Sequence, residues 1–223
     1  MVGDIIKKIE KEIQGMDNGE LFRYLDSVPG NHSDYSSLYI YLAKHPAMGD
    51  FYLKLFAPYD LRGKHFMELG PGVGESLDIA RSLGASTYFL DRDIFILKYC
   101  LNKNHVGAML DFFNKPLPVF QQFDMVLSRG SLNVDWMNDI DFDIDYFLDW
   151  LIKLGKHIIV IPTWNKGEVI EGNDYTCVGE HLDNYLQSKV HYSFLKHGFE
   201  MKKIEGINDR LRFPITYERT STI

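Results

Sequence analysis

Apolar positions follow two rhythms along the 223-residue chain. Over roughly the first 62 residues they keep helical spacing. Ile5, Ile6, Ile9 and Ile13 share one face, and Leu21, Phe22 and Leu25 continue the stripe. Pro29-Gly30-Asn31 is a turn signal. A second helical stretch begins near Ser36, carries Leu38, Tyr41 and Leu42, and breaks near Pro46; a third covers 51–56 and stops by Pro58. From residue 65 onward short apolar runs alternate with helical ones. Strands are expected at 65–69, 87–90, 106–110, 123–128 and 157–161, with helices at 75–83, 93–103 and 143–154. Pro116 and Pro118 argue against a helix in 111–122. Strands alternating with helices imply a parallel sheet covered on both faces. The end of the chain breaks the rhythm: a polar connection, 163–179, precedes a long helix over 180–197 that stops at Gly198. Two strands, 199–204 and 211–218, then join through a turn near Asn208-Asp209. Such a hairpin adds one antiparallel strand to the sheet.

The first strand breaks into glycines at alternate positions, Gly70, Gly72 and Gly74, and a helix follows at once. Glycine opens backbone angles closed to other residues and lets a ligand lie against the chain. The helix behind the turn aims free N–H groups and the positive end of its dipole at that ligand, which suits a nucleotide or carboxylate.

Composition narrows the picture. The chain is long enough for a full core in one domain with an appendage, and 45% hydrophobic and 25% charged residues are ordinary for a globular protein. A net charge of -7 with no Lys/Arg cluster argues against a DNA partner. No apolar run approaches the roughly 20 residues of a membrane span, and the charged N-terminal helix lacks a secretory pattern. Cys100 and Cys177 have no metal-type spacing and fit a reducing, cytoplasmic compartment. Asn31-His32-Ser33 matches a glycosylation sequon without that context.

The glycine spacing separates two kinds of nucleotide site. A dinucleotide fingerprint needs G-x-G-x-x-G. Here the order is G-x-G-x-G, with Glu75 where the third dinucleotide glycine belongs and an acid, Glu68, two residues before the first glycine. The second strand ends at Asp91, where a carboxylate can accept both hydroxyls of a ribose. The third ends in Leu110-Asp111-Phe112, an acid among apolar residues that suits an adenine amine and ring faces.

On these residues the chain resembles the class I S-adenosylmethionine-dependent methyltransferases. Glu68-Leu69-Gly70-Pro71-Gly72-Val73-Gly74 matches the family's first motif, Asp91 the second and Asp111 the third, and 123–128 resembles the strand that follows. The likeness covers about residues 60–218. It implies a Rossmann-like three-layer sandwich with a seven-stranded, mostly parallel sheet, order 3-2-1-4-5-7-6, the last strand antiparallel. Residues 60–223 would form the S-adenosylmethionine-binding domain, and 1–59 a helical N-terminal cap, either packing or a lid. The resemblance assigns the methionine part of the cofactor to Glu68, Gly70, Pro71, Gly72 and Gly74. It assigns the ribose to Asp91 with Arg92 beside it, and the adenine to Leu110, Asp111 and Phe112. Ser128 ends the fourth strand at the same mouth.

The acceptor side is thinner. Neither an Asn/Asp-Pro-Pro-Tyr motif nor a Pro-Cys nucleophile follows the fourth strand, which lowers nucleic-acid modification. Trp136, Trp164 and His181 fall near the mouth by topology, as would His32 and Tyr35 from the cap; for each, packing competes with substrate contact. The alternating Asp139, Asp141, Asp143 and Asp145 lack the glycine and bidentate Glu of a calcium loop, and read instead as the start of a helix; no metal is expected. The leading expectation is O- or N-methylation of a small molecule, a metabolite or sugar-containing intermediate. A protein or RNA methyltransferase and a non-catalytic scaffold are the alternatives. A nicotinamide oxidoreductase is disfavoured by the glycine spacing, and nothing selects an aminopropyl transferase. No catalytic base is identified.

Overall fold

A computed structural model of the protein describes residues 49–112, 115–118, 120–133, 142–163, 186–203 and 215–220. In chain order the elements are α1 (Gly49–Phe56), β1 (His65–Leu69), α2 (Glu75–Ser82), β2 (Ser86–Asp91), α3 (Ile94–Asn102), β3 (Val106–Met109) and β4 (Phe123–Asn133). There follow α4 (Ile144–Leu154), β5 (Gly155–Thr163), α5 (Lys189–Lys196), β6 (Glu200–Lys203) and β7 (Ile215–Thr220). The strands form one seven-stranded sheet, order β3-β2-β1-β4-β5-β7-β6. The β1–β4, β2–β3 and β4–β5 pairs are parallel, and β7 runs antiparallel to both β5 and β6. This is the topology the resemblance implied. Among the described residues no helix is long and apolar enough to cross a membrane. The chain divides into two compact units, one with residues 49–63 and 70–111 of those described, the other with 64–69 and those from 112 on.

In the first unit α1 buries Phe51, Tyr52 and Phe56, α2 buries Leu77 and Ala80, and β2 buries Phe89 and Leu90. Both helices that flank β2 end in left-handed caps. At the end of α2, Gly84 (φ 93°) lets its own N–H reach Arg81 O and the Ala85 N–H reach Ala80 O. At the end of α3, Asn104 (φ 63°) does the same with Leu101 O, and His105 N–H with Cys100 O. This paired-bond stop satisfies carbonyls that a helix end would leave bare, and Asn is the non-glycine residue most tolerant of it.

Gly107 on β3 lies directly opposite Phe89 on β2. A Cβ added there would sit 2.3 Å from two atoms of the fully buried Phe89 ring. The ring fills the space a side chain would take, so Gly107→Ala is expected to destabilise the protein by about 1–3 kcal/mol through overpacking. A lowered urea midpoint with an unchanged slope would register this. Gly107→Ala combined with Phe89→Leu should recover part of the loss, whereas strict additivity would mean that the two side chains do not compete.

In the second unit Ile158, Ile159, Val160 and Ile161 of β5 are all buried, the run expected of a strand covered on both faces. Gly155 joins α4 to β5 without a loop, and β4 comes so close there that a Cβ would lie 2.6 Å from Val126 Cγ2, which favours glycine. Asp143 caps α4 by accepting the Tyr146 N–H at 3.1 Å. The same helix anchors the Pro-containing segment before β4: Trp150 Nε1 donates to Pro118 O at 2.8 Å, and the Leu117 N–H donates to the Tyr146 hydroxyl at 3.0 Å. Asp124 ties strand starts together, accepting the His65 N–H and Lys156 Nζ; these donors hold its carboxyl below the ordinary aspartate range. On α5, Phe194 stacks on Tyr217 of β7 at 4.3 Å, and Gly198 (φ 76°) closes the helix with Phe199 against Phe194.

Two elements differ from their sequence pattern. The helix expected over 180–197 does not run through: the chain turns at 187–188 and α5 starts at Lys189. The Ser188 hydroxyl accepts the His191 N–H at 3.2 Å, so a polar side chain stops the helix from extending backward. Strand β4 runs five residues past Ser128, with a register shift between Arg129 and Asn133 before Asn133 pairs with Thr163. Pairing with β5, not apolar alternation, extends it. Residues 1–48, including most of the expected cap, and the 204–214 connection lie outside the described residues.

Candidate functional site

The glycine turn lies between β1 and α2. Gly70, Gly72 and Gly74 all have positive φ, at 68°, 55° and 71°. Gly74 N–H donates to Pro71 O at 2.9 Å, closing a tight turn, and Gly74 then begins α2 without a capping side chain. A Cβ at Gly74 would lie 3.1 Å from Cys100 Sγ, so backbone and buried thiol are in close approach. Cys100 Sγ donates to Gly72 O at 3.5 Å, and Lys103 Nζ donates to Val73 O at 2.9 Å. In a trans peptide the C=O and the following N–H point in opposite directions. The Val73 N–H therefore points away from Cys100. Among the described residues neither it nor the Gly72 N–H has a hydrogen-bond acceptor. Two backbone donors at the head of a helix are a fit for a carboxylate.

Two hydrogen bonds draw the strand ends of this unit together. Gly70 N–H donates to Leu90 O at 2.8 Å, and Leu110 N–H donates to Asp91 O at 2.9 Å. The glycine turn, Asp91 and Leu110 thus share one end of the sheet. Asp91 is 9% exposed and accepts the Asp93 N–H at 2.8 Å. Burial pushes its carboxyl up to about 6; the Asp93 N–H pulls the other way but does not offset it. A buried acid that ionises near neutrality favours a ligand whose hydroxyls complete its hydrogen bonds. Arg92 beside it is exposed, and Leu110 and Asp111 are half-buried.

In the other unit, Glu68 is 2% exposed on β1, opposite Leu127 of β4, and Ser128 is fully buried opposite Leu69. Phe112 is half-buried, its ring 5.3 Å from Phe147 and 6.0 Å from Trp150 on α4. The acceptor candidates His32, Tyr35, Trp136, Trp164 and His181 lie outside the described residues. Among the described residues no group of three or more His, Cys, Asp or Glu is placed to hold a metal ion.

Sequence reasoning passed over the residues beneath the turn. His105 is buried, between Asp78 (Nε2 to Oδ1, 3.1 Å) and Thr87 (Nδ1 to Oγ1, 2.8 Å). Burial, reinforced by the charge of Arg81, lowers its pKa and so favours the neutral ring, against the pull of Asp78. A carboxylate only accepts, so Nε2–H donates to Asp78, and in the neutral ring Nδ1 accepts the Thr87 hydroxyl. Asp78 also meets Lys103 Nζ and, at 2.8 Å, Arg81. The one legible signal was Asn104-His105 immediately after a helical run.

No protein-family model matches this sequence, and no curated protein matches it. Solved structures match its fold. DesVI from Streptomyces venezuelae is 12% identical with a TM-score of 0.58, over 87% of this chain and 100% of that one. An S-adenosylmethionine-dependent methyltransferase from Aquifex aeolicus is 15% identical, TM-score 0.52, over 78% and 92%. Another from Mesorhizobium loti is 14% identical, TM-score 0.51, over 78% and 97%. With the strand order, these define the fold: it is that of the class I S-adenosylmethionine-dependent methyltransferases.

Proposed function

We propose that this chain is an S-adenosylmethionine-dependent methyltransferase that acts on a small-molecule acceptor, methylating an oxygen or nitrogen of a metabolite or sugar-containing intermediate. The observation that carries the reading is a coincidence in one unit: three left-handed glycines with two backbone donors unengaged among the described residues, and a buried carboxylate at the next strand end. Dinucleotide chemistry would need a glycine where Glu75 stands.

In this reading the Gly72 and Val73 amides bind the carboxylate end of the cofactor and Asp91 its ribose. Leu110 and Asp111 meet the adenine. Glu68, Pro71, Arg92, Phe112 and Ser128 complete the set by their register with the motif. The bound cofactor supplies an activated methyl group on sulfur, and the protein supplies position and exclusion of water. An attacking hydroxyl would be helped by a base. On sequence grounds the acceptor contacts are sought among His32, Tyr35, Trp136, Trp164 and His181. The net charge of -7 favours a small acceptor over a nucleic acid.

Titration of the full chain by calorimetry with S-adenosylmethionine, S-adenosylhomocysteine and NAD tests the cofactor. Binding of both sulfur ligands in the micromolar range and none of NAD is the expected result. NAD binding, or binding of none, would overturn the reading. A panel of hydroxyl- and amine-bearing metabolites with labelled cofactor then tests the acceptor class, and transfer only to protein or RNA would replace it.

A further inference from the structure

Lys103 lies just past α3, where the Asn104 cap turns the chain, and its ammonium reaches three partners at once. It donates to Val73 O in the glycine turn at 2.9 Å, meets Asp78 in the first turn of α2, and lies 5.3 Å from the centre of the Tyr99 ring. Asp78 is in turn fixed by Arg81 and by His105, which Thr87 orients. The Lys103 carbonyl accepts from Arg81, closing the circuit.

The effect on the turn follows from peptide geometry. The Gly72 carbonyl is directed at Cys100 and the Val73 carbonyl at Lys103. Two consecutive peptide planes are therefore set from below: Cys100 holds the Gly72–Val73 plane, which carries the Val73 N–H, and Lys103 holds the Val73–Gly74 plane, whose N–H closes the turn on Pro71 O. Glycine on either side adds no side chain to stiffen the turn, so these bonds and that of Gly74 N–H to Pro71 O hold its shape. A charged donor fixes a carbonyl more firmly than a thiol can. Removing Lys103 would leave the Val73–Gly74 plane held only by the bond from Gly74 N–H to Pro71 O, loosening the turn that carries the Gly72 and Val73 amides, and would leave Asp78 with one cation fewer.

We infer that Lys103, backed by Asp78 and His105, is a positioning residue that holds the glycine turn closed, so that its Gly72 and Val73 amides stay aligned, and thereby sets affinity for the carboxylate-bearing end of the cofactor. This rests on the cofactor reading given above. A residue that merely supports the fold would affect every ligand alike, whereas a residue that aligns these amides affects only ligands with the amino-acid tail.

The test uses the full chain and two probes, S-adenosylhomocysteine and 5′-methylthioadenosine, which share the nucleoside but differ in that tail. Lys103→Met is expected to weaken S-adenosylhomocysteine by about tenfold or more and methylthioadenosine by less than about twofold, in keeping with loss of one charge-assisted hydrogen bond. Lys103→Arg should restore part of the affinity for the first. Equal weakening of both probes, or of neither, would overturn the inference and leave the cofactor reading standing. Failure of the wild-type chain to bind either probe would overturn both. Should Lys103→Met not fold, Lys103→Arg carries the same comparison: a loss confined to S-adenosylhomocysteine supports the inference, and an equal loss or none overturns it.

Discussion

Gly72→Val is expected to reduce affinity for S-adenosylhomocysteine by at least about a hundredfold, or remove it from calorimetric range. Gly72 has φ 55° inside the turn that Gly74 N–H closes on Pro71 O. A β-branched residue is a true outlier at such an angle, and the strain is on the order of 1–3 kcal/mol. Two ways of relieving it both harm the site. If the turn keeps its shape, a branched side chain stands beside the amides that the cofactor needs. If the turn opens, the Gly72 carbonyl leaves Cys100 and the Val73 amide loses its direction. Gly72→Ala, with no branch, should show a smaller loss of about tenfold. Circular dichroism and melting must show a folded variant for the comparison to count. A folded Gly72→Val protein with wild-type affinity would mean that the turn does not hold the cofactor.

Asp91→Ala should weaken S-adenosylmethionine binding by about 1–3 kcal/mol, the range for hydrogen bonds to a charged group. A second signature comes from its titration. Its carboxyl ionises at about 6 in the fold, above the ordinary 3.8, so folding opposes the charged form. The resulting contribution to stability, on the order of 3 kcal/mol, is fully present below about pH 4 and lost as pH rises through 6. Binding has the opposite sign, because ribose hydroxyls donate to the ionised carboxylate. Affinity should therefore rise between pH 5 and 7, with about tenfold weaker binding at pH 5 than on the plateau. In Asp91→Asn the rise should vanish. Affinity independent of pH in the wild type would remove Asp91 from the ribose.

Much of the framework was legible because it depends on local rules. The 65–69 run is strand β1 to the residue, and the three alternate glycines all occupy the left-handed region they permit. Asp143, part of a helix start by its pattern, is the N-cap of α4. The structure departs from the local pattern where partners, not neighbours, decide. Arg129 to Asn133 do not alternate as a strand should, yet β5 pairs with β4 as far as Asn133. Ser188 interrupts an otherwise convincing amphipathic run because its hydroxyl caps the helix that follows. The ring of Phe112 packs with Phe147 and Trp150, far along the chain, a contact that no local pattern announces.

Sequence alone determined the order of strands and helices, the glycine turn and the acids at the strand ends, because backbone angle preference and hydrophobic period act over a few residues. Only the tertiary structure decided how the turn is held. Cys100, Lys103 and His105 lie some thirty residues beyond it, and they meet it, or the helix it starts, through single carbonyls and one carboxylate. A hydrogen bond to a backbone carbonyl leaves no mark on the residue that accepts it, since every residue carries that group. The charge state of Asp91 is tertiary for the same reason: its type is written in the chain, but burial, which raises its pKa, is a property of everything packed around it.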